Sequence, residues 1–262
     1  LKDWGRGFTV IFAMMYLLLC FLVFVSTYTL NLLYISVFYH RGLTHRAVNL
    51  RPWVRQMVVW TGNWVSGLDP KGWVCMHRLH HQYSDTPKDP HSPHYQGVFK
   101  LALGQLHSYN RVLIGLIRED PKFMSVVPDL DFKVSWLNRK RLWALPYIVQ
   151  ALVAVAIGYF GHAWLLGYCY WIGMMSHPIQ GWMVNSLAHK YGYRNFATDD
   201  RSRNNTLVAW LVMGEGFQNN HHHSPSSARF SVKWWEIDTG YYLCCVAKWF
   251  GLLKLNSQPS VA

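Results

Sequence analysis

Residues 8–39 contain no charged side chain. At about 1.5 Å per residue a single helix of that length reaches roughly 48 Å, against roughly 30 Å of bilayer hydrocarbon. The pattern predicts either one long helix that projects beyond a bilayer or a short helical hairpin turning near residues 26–31. Two more apolar stretches, residues 143–160 and 163–184, meet at Gly161-His162 and predict a tight hairpin. Pro178 should kink the second of them. Residues 52–74 and 234–253 are apolar but broken by polar groups, and suit helices lying on a membrane surface. The expected fold is an all-α integral membrane protein of one domain over residues 1–262: two hairpins, or one long helix plus a hairpin. A helical cap is formed by residues 40–142 and 190–262.

Composition and charge agree. The 262 residues are 51% hydrophobic and only 15% charged, with 25 Lys+Arg against 13 Asp+Glu, a net charge of +12. Soluble domains carry about 25% charged residues. The basic residues concentrate in 40–142 and 190–233, which places the cap on the cytosolic side, at a bacterial inner membrane or an ER-type membrane. Lys2 and Arg6 favour a cytosolic N-terminus and hence two crossings before His40. Nucleic acid is not an expected partner, because no recognition motif accompanies the charge. Five cysteines without a C-x-x-C pair do not form a disulfide framework.

The anomaly is 14 histidines, most of them clustered. His77, His80 and His81 stand at i, i+3 and i+4 and share one helix face. Gln218, His221 and His222 repeat that spacing, and Asn185 and His189 stand four apart. His40 and His45 diverge on a regular helix and converge only where it ends or bends, which Gly42 permits. Two crossings separate the second cluster from the third, so all clusters return to one side. Imidazole suits zinc, copper, iron and nickel. Eight histidines exceed the roughly four ligands of one zinc-like ion and suit two metals. His223 lies off the face of its neighbours, His91 and His94 suit a loop that buttresses the second cluster, and His107 and His162 suit ordinary loop positions. His177, inside an apolar stretch, is too far along its helix from His189 for the same centre.

The motifs H-x4-H, H-x2-HH and Q-x2-HH, in this order, resemble those of the membrane-bound fatty acid desaturases. Asp85 and Asp89-Pro-His91 after the second cluster, Asn185-Ser-x-x-His189-x-Tyr-Gly-Tyr193, and Gly214-Glu-Gly-Phe217-x-Asn-x-His-His222 resemble the stearoyl-type, Δ9-like acyl-CoA or acyl-lipid branch. The resemblance implies two iron ions held by His40, His45, His77, His80, His81, His189, His221 and His222. Asn185 would hold a metal-bound water, and Gln218, where that branch usually has His, would be a metal or metal-water contact. It implies O2-dependent introduction of a double bond into a fatty acyl chain, with electrons from an external cytochrome b5- or ferredoxin-type donor and a lipid bilayer as host. The competing readings are a histidine-box membrane hydroxylase and, outside enzymes, a membrane metal-binding protein.

Overall fold

The computed structural model describes residues 2–256, with side chains from Val10 onward. Helix α1 (Lys2–Leu32) runs without interruption into a π-helical stretch, Leu33–Thr44. The apolar stretch is therefore one helix, not a hairpin. No Gly or Pro interrupts residues 8–39, and two of the polar side chains that suggested a turn bond within the helix or to a neighbour. Thr27 Oγ1 donates to its own Val23 carbonyl at 2.8 Å, and Asn31 Nδ2 donates to the Met174 carbonyl at 2.9 Å. Among the described residues this is the one helix long and apolar enough to cross a membrane.

After a short strand β1 (Val48–Leu50), the stretch 52–74 is two helices, α2 (Pro52–Ser66) and α3 (Pro70–Tyr83), and not one surface helix. Gly67 ends α2 in the left-handed region (φ 73°), where a side chain would be strained. Asp69 then caps α3, accepting from the amides of Lys71 and Gly72 at 2.9 and 3.1 Å, with Pro70 at the first helical position. Four further helices precede the apolar hairpin: α4 (Pro93–Gln96), α5 (Leu101–Ile117), α6 (Pro121–Met124) and α7 (Trp136–Arg139).

The hairpin is α8 (Leu145–Phe160) and α9 (Trp164–Met174), turned at His162 with φ 50°. The helices approach closely: a Cβ on Gly167 would lie 2.3 Å from the Ala154 carbonyl oxygen. Helix α9 also packs along α1, with Tyr16 Oη accepting from Leu166 N at 3.3 Å and Gly173 seated on Phe24 and Thr27. Low numbers meet low numbers, so α1 and α9 run parallel and α8 runs against both. The arrangement is one long helix plus a hairpin. Residue 2 begins α1 at the end remote from His40, which corrects the expectation drawn from Lys2 and Arg6.

Helix α9 stops at Met174, and the chain restarts as α10 (His177–Trp182), a π turn (Met183–Leu187) and α11 (Ala188–Lys190). The expected kink at Pro178 is a full break one turn earlier, with Pro178 in the first turn of the new helix. Helices α12 (Thr206–Leu211), α13 (Gln218–His223) and α14 (Thr239–Trp249) follow. Within residues 234–253 only α14 is helical, because Asp238 caps it by accepting from Tyr241 N at 2.9 Å. Strand β2 (Leu253–Leu255) closes antiparallel on β1, Val48 opposite Leu255. The main core gathers Val37, Tyr39, Val58, Val74 and Cys75, all without exposure, where the π-helical stretch, α2 and α3 meet.

Candidate metal centre

The π-helical stretch answers how His40 and His45 meet. In a π turn the amide of residue i+5 bonds the carbonyl of residue i, and here His45 N donates to the His40 carbonyl at 3.1 Å. The wider turn carries residue i+5 round to the face of residue i, and the two rings stand with centroids 5.0 Å apart. Gly42 is not the bend, since the whole stretch Leu33–Thr44 is π-helical and so underwound relative to an α-helix. Helix α3 is regular, and its i, i+3, i+4 histidines divide between two groups.

In the first group His40, His45, His77, His81 and His221 converge. Their Nε2 atoms form a chain of short contacts: His40 to His221 at 2.9 Å, His221 to His81 at 3.0 Å, His81 to His77 at 3.1 Å and His77 to His45 at 3.1 Å. Neutral imidazoles carry one ring proton each. A spacing of roughly 3 Å is that of neighbouring ligand atoms around an ion with metal–nitrogen bonds of about 2.0–2.1 Å. Burial, and then the neighbouring imidazoles, push His45, His77, His81 and His221 well below the ordinary imidazole range. Neutral rings are what metals bind.

In the second group His80, His189 and His222 converge. Each points a buried Nε2 with no protein partner at the others. Each gives its Nδ1 to its own carboxylate: His80 to Asp89 at 3.0 Å, His189 to Asp85 at 3.0 Å and His222 to Asp200 at 2.5 Å. This carboxylate–histidine pairing fixes the tautomer and turns Nε2 toward an ion. Burial alone would raise the Asp85 carboxyl, but His189, Ser92 and the Arg201 amide outweigh it and lower it to about 2. Burial likewise opposes, and His222 with Ser202 and Thr198 overcomes, the shift at Asp200, which falls well below the carboxylate range. His189 is raised, because Asp85 outweighs burial. His222 goes the other way, to about 4, because burial outweighs Asp200. Three orphaned imidazole nitrogens in one place, and five more in ligand-like contact, fit metal ions.

The first group has one carboxylate. His40 Nδ1 donates to Glu215 Oε2 at 2.6 Å, and Glu215 is held by Arg41 at 2.9 Å and by Ser36 at 2.5 Å. Arg41 has no exposure at all; it also bonds Asp238 at 3.0 Å and stacks on Phe230 at 3.8 Å.

Beside the first group lies an apolar cavity between α3, α5 and α10. Ile35, Leu68, Trp73, Met76, Tyr109 and Val184 line it, and His40 and His77 form its metal-side wall. Gln218 and Asn185 also line it. Gln218 Nε2 donates to the Glu215 carbonyl at 2.7 Å, and Asn185 Nδ2 to Gln105 Oε1 at 3.1 Å. His91 is buried and stacks on His80 at 4.3 Å, while His94 bonds the His189 carbonyl at 3.1 Å, so both buttress the second group. His223 is exposed and stacks on Phe196 at 3.8 Å, facing away from both groups. His107 sits on α5, exposed, and not in a loop.

The family model for fatty acid desaturases matches residues 13–243. The chain belongs to the fatty acid desaturase family. It is 33% identical over 226 residues to the acyl-CoA 5-desaturase AL21 of Anemone leveillei, covering 85% of this chain and 66% of that one. It is 32% identical to the Delta-9 acyl-lipid desaturase 1 of Arabidopsis thaliana, over 89% of this chain and 73% of that one. A third relative, at 32% identity over 88% and 73% of the two chains, is the hex-5-enoyl-[acyl-carrier protein] acetylenase of Moorena producens (strain JHB). The chain thus spans about two thirds to three quarters of these relatives' lengths.

Asp200 escaped the sequence reading altogether, and Asp85, Asp89 and Glu215 entered it only as parts of motifs. Asp85 pairs with a histidine 104 residues away, a separation that no local periodicity reveals. The available signal for Asp200 was its place in Thr198-Asp-Asp-Arg-Ser202, an Asp among side chains that donate to it.

Proposed function

We propose that this desaturase-family protein introduces a double bond into a fatty acyl chain in an O2-dependent reaction, using two iron ions. The observation that carries the reading is the pair of converging histidine groups against an apolar cavity. His40, His45, His77, His81 and His221 hold one ion; His80, His189 and His222 hold the other. The two irons supply the redox chemistry that removes two hydrogens from an unactivated chain as O2 is reduced to water.

The chain's own residues do the positioning. Trp73, which stacks on His77 at 4.9 Å, and Met76 and Val184 hold the methylenes beside the ions and keep water away. Asp85, Asp89, Asp200 and Glu215 keep each Nδ1 proton in place, so that the neutral Nε2 stays free. Gln218 and Asn185 face the cavity next to the cages, where a neutral amide can bind an ion or order a water. A Δ9-like position of the double bond is compatible with the relatives' names. The acyl carrier in this reading is CoA or a membrane lipid.

Helices α1, α8 and α9 cross a lipid bilayer in this reading. Their outer faces are bare and apolar, Phe12 65% and Leu152 62% exposed, with Trp143 and Trp164 at the ends of the hairpin where an interface belt belongs. The histidines sit at one end of all three helices, and the basic segments beside them support a cytosolic position for that end. Electrons arrive from an external cytochrome b5- or ferredoxin-type protein, whose acidic surface suits the basic cap.

The test is expression in a host whose fatty acids are profiled with double-bond positions mapped, together with metal analysis of active protein. New monounsaturated chains, and two irons per chain, are expected. Hydroxylated products would give the family's hydroxylase chemistry instead, and an unchanged profile with active-level iron would overturn the reading.

A further inference from the structure

The far wall of the cavity is polar where an acyl chain gives it nothing to bond. His177 and Gln180, three residues apart on α10, both line it, at 5% and 3% exposure. His177 Nδ1 and Gln180 Oε1 are buried without any hydrogen-bond partner. Buried polar atoms are rarely left so, whereas the amides of Gln105, Asn185 and Gln218 in the same lining each have a partner.

Their neighbours decide what they offer. Tyr147 Oη donates to the Gly67 carbonyl at 3.3 Å, so in its 3.5 Å contact with His177 Nε2 the neutral ring is the donor. The ring proton is then on Nε2, and Nδ1 is an acceptor. Gln180 Nε2 donates to Ser176 Oγ at 2.7 Å, which leaves its carbonyl oxygen as the free end. Two free acceptors, the second N–H of the Gln180 amide and no opposing charge describe a site for a neutral group that donates and can also accept. A carbonyl has no proton to give and would leave both acceptors unpaired, and an ammonium would be buried without a counter-ion, since Glu215 is already held by His40 and Arg41.

We propose that His177 and Gln180 form a hydroxyl-binding subsite in the wall of the acyl cavity, so that the preferred substrate carries an alcohol group away from its reacting carbons. The proposal rests on the cavity being the acyl site of the desaturase reading. His177 is in neither histidine group, and twelve residues separate it from His189, roughly 18 Å at helical rise. The hydroxyl is therefore one the substrate brings. Its source is either the acyl chain itself or the carrier, as in the glycerol of a lipid.

Competition for tritiated palmitate on the purified, metal-loaded full chain in detergent separates these. The competitors are 16-hydroxypalmitate and 1-monopalmitoylglycerol, each beside its O-methylated twin, which keeps the shape and removes the donor. One hydroxyl probe should compete roughly 5- to 10-fold better than its twin, as one net hydrogen bond gives. Preference for 16-hydroxypalmitate assigns the alcohol to the chain, and preference for monopalmitoylglycerol assigns it to the carrier. His177→Leu and Gln180→Leu should each bring the twins to parity while still binding palmitate. If both twins match their hydroxyl probes on the unaltered protein, the two acceptors hold water only and the proposal is overturned. It also fails if the preference survives both substitutions. The comparison of twins on the unaltered protein stands even where a variant does not fold. Neither result depends on turnover, so failure of the desaturase reading shows separately, in the fatty-acid profile.

Discussion

Asp200→Asn is the sharpest perturbation of the centre, because it changes two atoms' chemistry and almost no volume. Asp200 Oδ2 accepts from His222 Nδ1 at 2.5 Å. Its Oδ1 is already taken by three donors: Thr198 Oγ1 at 2.7 Å, Ser202 N at 3.0 Å and Ser202 Oγ at 2.5 Å. Asparagine must keep its carbonyl oxygen toward those three, which turns its NH2 toward His222. Two donors then face each other. The imidazole relieves this by moving its proton to Nε2, the buried atom that points into the second group, and a protonated nitrogen does not bind metal. Loss of a charge-assisted hydrogen bond alone is worth about 1.5–3 kcal/mol, and loss of such partners typically weakens metal binding about 10- to 100-fold. The tautomer change puts Asp200→Asn at the upper end of that range, confined to the His80–His189–His222 ion. Metal per chain, with chelator competition to resolve the two affinities, measures it. Asp199→Asn, at the exposed neighbouring acid, serves as the control with both ions retained. If Asp200→Asn held both ions with unaltered affinity, the carboxylate would not be setting the tautomer, and the assignment of Nε2 as a ligand atom would fall with it.

Three other outcomes follow from the same geometry. His222→Ala should abolish turnover and release about one ion per chain, whereas His223→Ala, which removes only an exposed ring from Phe196, should retain both; the reverse pattern in metal analysis would invert the third cluster. Gln218→Leu should reduce desaturation sharply, by about tenfold or more if it leaves the Glu215 carbonyl unpaired as well, and Gln218→His should restore part of it; full activity and iron in the Leu variant would make the position mere packing. The Asp85 carboxyl, lowered to about 2 from an ordinary 3.8, contributes about 2 kcal/mol that is present above about pH 4 and is lost as pH falls through about 2. Unfolding midpoints of the parent and Asp85→Asn, measured with chelator present, should therefore differ at pH 6 and converge toward pH 2, and a gap independent of pH would refute the assignment.

Much of the site was legible because α3 is a regular helix: His77, His80 and His81 obey its period, and the period alone places them on one face. His40 and His45 could not be placed so, since a π turn changes the angular step per residue without any change in the pattern of polar and apolar positions. The break between α2 and α3 was written in the chain, as Gly67 followed by Asp69-Pro70, a C-terminal glycine and then a capping acid before a proline. Read as one surface helix, those signals were outweighed by the apolar content around them. The hairpin expected near residues 26–31 failed for a different reason. Ser, Thr and Asn there look like a turn in isolation, but Thr27 bonds back within the helix and Asn31 bonds across to α9 and α2. Only the tertiary partner distinguishes a polar residue that ends a helix from one that ties two helices together.

The distribution of acids explains how so basic a chain could hold cations at its centre. Of 13 acidic residues in the whole sequence, Asp85, Asp89, Asp200, Glu215 and Asp238 are all buried or nearly so around the histidines. Four of them stand one imidazole away from where ions would sit. Placed there, a carboxylate offsets the charge of an ion without occupying a position around it. Arg41 then cancels part of that charge: it is shared by Glu215 and Asp238 beside the first group, while among the described residues the second group has no such buried arginine or lysine paired with its three carboxylates. The three-histidine group, with fewer nitrogens, therefore carries the larger uncompensated negative charge, and the five-histidine group the smaller. An ion with fewer imidazoles would thus be held by more surrounding charge.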